Sequence, residues 1–284
     1  MKVVDRKSKK EYEYKYSFLV KFLYNTFIGR IILKLLCNKL VANIVACFMN
    51  SRLSKFLVNK KIKDYNIDMT LYEDKDYNNY NEFFTRKLKK NKVNLSKNVF
   101  ISPCDSKLLA LKLDDKQKFD VKGSIYNARE IINDEIIKDF YNGYALIFRL
   151  DVNDYHRYCY IDNGSRDGFH YIKGILHTVQ PIAYDKVKVF HRNSREWCVL
   201  HTDNFDDIIH CEVGAMMVGR ICNNKELINF NKGDEKGYFK FGGSTIILFV
   251  KENVIELDKD ILENSRLGKE TIVHYGEQIG KKNK

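Results

Sequence analysis

The chain has 284 residues, 44% of them hydrophobic and 13% aromatic, which is ample for a packed core and excludes disorder at large. Its formal net charge is +12, unevenly placed: residues 1–64 hold 15 basic side chains against four acidic ones, Asp5, Glu11, Glu13 and Asp64, so the rest of the chain is nearly neutral. A near-neutral body with a basic head argues against a uniformly cationic nucleic-acid binder, and the length fits one large domain or a main domain plus a smaller one.

The opening MKVVDRKSKKEYEYKYSF is basic but lacks a small-residue cleavage site after an apolar core, so no secretory signal is expected. From Phe18 to Leu57 apolar residues dominate, interrupted by Lys21, Arg30, Lys34, Lys39, Arg52 and Lys55. The longest uncharged stretch, Leu40 to Ser51, falls short of the roughly 18 to 20 residues that a membrane-spanning helix needs. The first cations recur at close to helical multiples, which places them along one edge of an apolar helix. Such a helix can lie in the lipid headgroup plane with Lys and Arg reaching anionic lipid, each worth roughly 1 kcal/mol. It can equally be a helical subdomain packed against the body. Nucleic acid is the weaker third reading, because Arg is scarce and no nucleic-acid fold motif occurs.

After Ile67 the composition shifts to acids, Asn and aromatics, and Asn81-Glu82-Phe83-Phe84 predicts a short helix carrying aromatic anchors. From about residue 98 short β-like runs alternate with turn residues. Strands are predicted at Tyr144–Val152, Phe169–Val179, Val187–Val189, Trp197–His201, Ile208–Val213, Leu227–Phe230, Tyr238–Phe241 and, most strongly, Ser244–Val250. A helix is predicted from about Asn127 to Tyr141. The fold expected is α+β: a mostly antiparallel β domain over residues 81–284, preceded by a basic amphipathic helical region over 1–80.

Seven cysteines stand singly, without a C-x-x-C pair, which predicts reduced thiols in a cytosolic setting and no zinc or other metal site. Three segments stand out for chemistry. Ser102-Pro103-Cys104-Asp105-Ser106 is a proline-stiffened turn ending in a carboxylate. Asp154-Tyr155-His156-Arg157-Tyr158-Cys159 is a polar cluster after a buried strand. Phe241-Gly242-Gly243-Ser244-Thr245 feeds a hydroxyl into an apolar strand. Singly these read as a turn, a surface hydrogen-bonder and a bulge. Together they supply an acid, a base and a hydroxyl nucleophile. Glycines before the serine permit close approach and strained angles, exposing the Gly243 carbonyl to the Ser244 oxygen. The pattern is not the G-x-S-x-G elbow of hydrolases, because an apolar strand follows the serine.

With these blocks in order, together with NEFFTRKLK, HTVQPIA, VGAMMVGRI, KGDEKGYFKFGGSTIILF and the final GEQIGK, residues 80–284 resemble the phosphatidylserine decarboxylases. The spelling is similar to the bacterial branch with a G-G-S-T processing site. The resemblance implies self-cleavage between Gly243 and Ser244, giving a large chain, 1–243, and a small chain, 244–284, that stay together as a heterodimer. Ser244 would become a covalent pyruvoyl group that takes the amine of phosphatidylserine as a Schiff base and decarboxylates it to phosphatidylethanolamine, with no metal. It assigns His156 as base and proton shuttle and Asp105 as the carboxylate that orients it. Many members carry a second histidine where this chain has Cys159, so His156 serves alone or another histidine takes part, His177 being the nearest candidate; Cys159 is a poor base for a serine. The resemblance also weighs the basic head toward an anionic membrane and away from nucleic acid, at the cytoplasmic face of the cell membrane. The competing expectations are a catalytically inactive membrane-binding homologue, whose chain stays intact, and a serine hydrolase, which must keep Ser244 free.

Overall fold

The computed structural model describes residues 1–90, 93–184, 186–216, 220–242 and 244–283. Ser244–Val250 (STIILFV) is buried at every position, as suits a β-branched and aromatic run covered on both faces. It pairs antiparallel with Asp207–Gly214 on one side and Tyr144–Leu150 on the other, and so lies in the middle of an eleven-stranded sheet. Beyond Asp207–Gly214 the sheet continues through Arg195–Thr202, Gly164–Arg166 and Asn229–Phe230. Beyond Tyr144–Leu150 it continues through Ser106–Lys112, Glu270–Val273, Lys2–Asp5 and Glu11–Glu13. Lys2–Asp5 runs parallel to Glu270–Val273, an exception in an otherwise antiparallel sheet.

Alternate side chains of these strands build two cores. Phe148, Leu150, Cys198, Ile246 and Leu248 face one side, where they meet Tyr155, Tyr158, Cys159 and Phe239. That layer belongs to a smaller sheet of Ile221–Asn223, Glu235–Phe239 and Arg157–Cys159. Ala145, Ile147, Val199, Ile209, Ile247 and Phe249 face the other side. The expected α+β class with a mostly antiparallel sheet is what the chain adopts.

Four helices form the head: α1 (Phe18–Asn25), α2 (Phe27–Leu36), α3 (Lys39–Asn50) and α4 (Phe56–Asp64). Thr26 ends α1 and caps α2, its side chain accepting from the Gly29 amide at 2.9 Å. The two helices approach so closely that a Cβ on Gly29 would stand 2.1 Å from the Phe22 carbonyl oxygen. Val20, Leu23, Tyr24, Leu33 and Cys37 bury against the second core, so the head is packed on the body. Its other face is bare: Phe18, Phe27, Ile28, Leu35, Leu40, Ile44, Leu53 and Phe56 are all more than 60% exposed. Among the described residues no single helix is long and apolar enough to cross a membrane; α2 and α3 reach that length only together, across a bend of 68°.

Four local expectations differ from the structure. The first thirteen residues are a strand pair of the main sheet, not part of the helical head. The run beginning at Val187 enters a helical turn, Val189–Arg192, because Val189 and Phe190 bury together there, and the 169–179 run pairs only over His170–Ile172. The helix predicted over 127–141 breaks into Ala128–Ile132 and a 3-10 segment, Glu135–Phe140. Asn133 takes the left-handed conformation at φ 55° and Asp134 caps the second piece. Downstream of the head, Tyr80–Phe84 forms the short helix expected, α5, with Tyr80, Phe83 and Phe84 buried.

Candidate active site

Ser244 opens the central strand, opposite Gly214 on one neighbour and Leu150 on the other. Period-two alternation puts it on the face of Ile246 and Leu248, beneath the smaller sheet. It is fully buried, and its Oγ has no hydrogen-bond partner among the described residues. A hydroxyl desolvated without compensation costs about 1–3 kcal/mol, which marks the position as kept for something other than stability. The approach to Ser244 is held from the head side: the Phe241 amide donates to Asn81 Oδ1 at 3.0 Å, and Asn81 Nδ2 donates to Asn50 Oδ1 at 3.0 Å. Gly242 has φ 139°, a region closed to most side chains, so the first glycine of the pair is needed for its backbone. Gly243 lies outside the described residues.

His156 leads into the strand Arg157–Cys159 on the layer that covers this face, and it is fully buried. Its Nδ1 lies 2.9 Å from the Asp154 carbonyl oxygen, which can only accept. Burial, with Arg86 nearby, pushes the imidazole down to about 3, so the ring is neutral. A neutral ring that donates from Nδ1 carries its lone pair on Nε2, and Nε2 is buried without a partner among the described residues. The Phe84 ring lies over the imidazole with centroids 3.9 Å apart, and Phe84 also meets Phe241 edge-on at 5.5 Å. The Phe239 amide donates to the His156 carbonyl at 3.0 Å, tying His156 to the strand that leads toward Phe241 and Gly242. Phe84 thus links the imidazole to Phe241, three residues before the bare Ser244 hydroxyl.

Asp105 is not joined to His156. Its Oδ1 accepts from the Tyr275 amide at 2.7 Å and lies 3.8 Å from His274 Nδ1, because Tyr275 follows the strand Glu270–Val273 and its N–H has no ladder partner there. The carboxylates placed beside His156 in sequence are Asp154 and Asp151, both on Lys107 Nζ at 2.8 and 3.0 Å. Burial opposes the charge of Asp151, but Arg149 and Lys107 outweigh it and hold the carboxyl at about 2. Cys159 is buried, its thiol pushed up to about 12 and set against the Tyr275 hydroxyl, so it offers no base. The His177 ring turns toward the head, with Nδ1 3.5 Å from both the Tyr24 hydroxyl and Cys37 Sγ. Its backbone stays close to the site, since Asn193 Nδ2 bridges the carbonyls of His177 and Gly214 at 2.8 Å each. Phe84, Asn81, Lys107 and Asn193 are the parts that sequence reading missed as site residues; only the NEFF run hinted at the first two.

Two cavities flank the turn and share Phe241. One, of about 630 Å³, lies between α3 and the smaller sheet and is lined by Asn43, Asn50, Asn81, Glu196, Arg220 and Lys240 among others. The other, of about 430 Å³, is bounded by Tyr14, Val20, Leu150, Asp151 and Gly242. Behind the first wall runs a buried polar chain. Asn223 Nδ2 donates to Glu196 Oε2 at 2.7 Å and to Glu212 Oε2 at 3.2 Å, and Glu212 is ion-paired with Lys236. His210 Nδ1 stands 2.9 Å from Glu212 Oε1. Among the described residues no cluster of three or more His, Cys, Asp or Glu side chains could hold a metal ion, and all seven cysteines are free thiols.

A family model described as phosphatidylserine decarboxylase matches residues 80–281. The chain is 49% identical over 268 residues to phosphatidylserine decarboxylase proenzyme 2 of Clostridium acetobutylicum, covering 93% of this chain and 92% of that one. It is 46% identical over 270 residues to the phosphatidylserine decarboxylase proenzyme of Clostridium botulinum strain 657, with 92% of each chain covered. With that of Clostridium beijerinckii it shares 40% over 272 residues, covering 93% and 92%.

Proposed function

This chain belongs to the phosphatidylserine decarboxylase family, and we propose on that premise that it is a carboxy-lyase made as a proenzyme, converting phosphatidylserine to phosphatidylethanolamine after cutting itself between Gly243 and Ser244. One observation carries the reading: Ser244 Oγ and His156 Nε2 are both fully buried and both without a partner among the described residues, and Phe84, whose ring lies over His156, also meets Phe241 three residues before Ser244.

His156 Nε2 accepts the Ser244 proton as Oγ attacks the Gly243 carbonyl carbon. The peptide C–N bond is exchanged for an ester, and the Ser244 nitrogen takes up the proton. Loss of the Ser244 Cα proton then expels the Gly243 carboxylate, and water replaces the nitrogen of the dehydroalanine that remains, leaving a 2-ketoacyl group still amide-linked to Thr245 and releasing ammonia. A pyruvoyl group at position 244 fits here, because the bare Oγ and the positive-φ Gly242 mark a position whose side chain and backbone are set up to change. Such a group supplies an electron sink for the carbon that loses carbon dioxide, a role other enzymes give to pyridoxal phosphate. The protein's part is then to bind and to exclude water. Arg220, Lys240 and Glu196 all line the larger cavity, a mixture of charges suited to a zwitterionic headgroup. Phe84 and Phe241 close the layer around His156. The small chain remains bound because its first strand is ladder-paired on both edges and wholly buried.

The exposed apolar face of α1 to α4, with Lys21, Arg30 and Lys34 exposed beside it, supports peripheral docking on an anionic membrane from the cytoplasmic side. The mass of the purified protein tests the core of the reading. Two chains, the smaller blocked at its N-terminus by a pyruvoyl, are expected, and Ser244→Ala should leave one chain of 33.5 kDa. A wild-type chain that stays whole would point instead to an inactive homologue, or to a hydrolase if Ser244 reacts with an acylating probe.

A further inference from the structure

The self-cleavage just proposed turns 244–284 into a separate molecule, and the structure shows what else touches it. Beyond its central strand, the small chain's outer edge is the strand Glu270–Val273, which would otherwise expose a row of unpaired backbone groups. Lys2–Asp5 covers that edge: Val3, Val4 and Asp5 stand opposite Glu270, Thr271 and Ile272, and Val3 is fully buried. Arg6 then spreads its guanidinium over this chain alone. Nε donates to Asp260 Oδ2 at 2.8 Å, Nη2 to Asp258 Oδ2 at 2.8 Å, and Nη1 to the Gln278 carbonyl at 2.7 Å and Glu277 Oε1 at 3.2 Å. The side chain is only 15% exposed, and a planar fork meeting three carboxylates is a geometry Lys cannot copy. Glu11 adds an ion pair to Lys269. The same segment then runs to Tyr14, whose hydroxyl donates to Asp151 Oδ1 at 2.9 Å beside the site, and to Ser17, which caps the first head helix.

We infer that residues 2–11 are a clasp whose partner is the small chain released by self-cleavage, and that Arg6 is its principal contact. The inference rests on the cleavage reading above. While the chain is whole, the covalent link keeps 244–284 local and the clasp is one packing contact among many. After cleavage it becomes an interchain bond, and the covalent chain's effective concentration is gone. The clasp also fastens the chain that would carry the pyruvoyl to the segment leading into the head.

The test uses full-length protein with an affinity tag after Lys284, held on resin by the small chain and washed with rising urea. Wild type, first shown by mass to be cut, should keep its large chain to a urea concentration roughly 1 M or more above that of Arg6→Ala. The partner-side pair Asp258→Asn with Asp260→Asn should shift release the same way. In the uncut Ser244→Ala background, Arg6→Ala should move the unfolding midpoint by clearly less. Equal shifts in the cut and uncut proteins, or no shift in either, would overturn the clasp and leave self-cleavage standing. An uncut wild type would overturn the cleavage reading and with it an interchain role for Arg6.

Discussion

The imidazole of His156 lies under the ring of Phe84, with centroids 3.9 Å apart and planes inclined by 34°. Phe84 sits on a five-residue helix whose Asn81 also anchors Phe241, so one short element positions both the His156 imidazole and the approach to Ser244.

His156→Gln should therefore stop self-cleavage, because an amide cannot take the Ser244 proton, while leaving the fold intact. Phe84→Leu keeps apolar volume but frees the imidazole plane, and should slow cleavage by roughly 10- to 100-fold. The time course of chain splitting after synthesis in a cell-free extract reads both. Unchanged kinetics in His156→Gln would move the base to another histidine.

A second prediction concerns acid. Burial holds His156 at about 3, and burial together with Lys236 holds His210 at about 4, against an ordinary value of 6.5. Below pH 6.5 the unfolded chain takes up protons that the folded chain refuses, so stability falls as pH drops from 6.5 toward 4 and 3. The slope approaches about 1.4 kcal/mol per pH unit for each histidine. His274 has the opposite sign: its interaction with Asp105 raises it, so its contribution is lost as pH rises, but it is about half exposed and correspondingly weak. Urea midpoints of Ser244→Ala from pH 8 to pH 4 should fall steadily below 6.5, and less steeply with His210→Gln added. A flat profile would mean these rings are not held neutral. The cleavage rate itself should show no inflection near 6.5, since His156 stays neutral throughout.

Ser244–Val250 was legible because every residue in it is apolar or small and hydroxylated, a pattern that fits only a strand covered on both faces. The D-Y-H-R block was legible as chemistry only through the family resemblance; singly it read as a surface hydrogen-bonder, whereas the fold buries His156 and Arg157, where a polar side chain is costly to desolvate. Lys2–Asp5 was not legible. Its four residues carry two charges, and the partner that makes it a strand, Glu270–Val273, lies at the other end of the chain. Asp105 was placed beside His156 by motif order alone, whereas the fold spends its carboxylate on the Tyr275 amide. The break at Asn133 was hidden because helical spacing continues across it; only its left-handed φ ends the turn.

The buried ion pair of Glu212 and Lys236, both with no exposed surface, gives a third prediction. Glu212→Leu strands an ammonium in an apolar layer and should cost about 3–5 kcal/mol, whereas Glu212→Leu with Lys236→Met removes both charges and should recover most of the loss. Chemical unfolding of these variants in the Ser244→Ala background measures it. If the double variant is no better than the single one, the pair is held for its hydrogen bonds to Asn223 and not for charge balance.

The head supplies the last prediction. Ile28 and Leu35 of α2 are 63% and 62% exposed, and the apolar surface around them has no cover among the described residues. Lying on a membrane would bury it, and full burial of such a side chain is worth about 1.5–3 kcal/mol. Ile28→Asp with Leu35→Asp should thus lower partitioning onto vesicles containing an anionic lipid by roughly 100-fold or more. Raising salt should weaken the wild type as the cations Lys21, Arg30 and Lys34 are screened. Neither change touches Ser244, His156 or the strands that hold them, so chain splitting should proceed at the wild-type rate in both cases. Sedimentation with vesicles, read alongside the cleavage time course, separates the two properties: equal partitioning of wild type and variant would remove the head from membrane docking, and slowed splitting would show that the head also shapes the site.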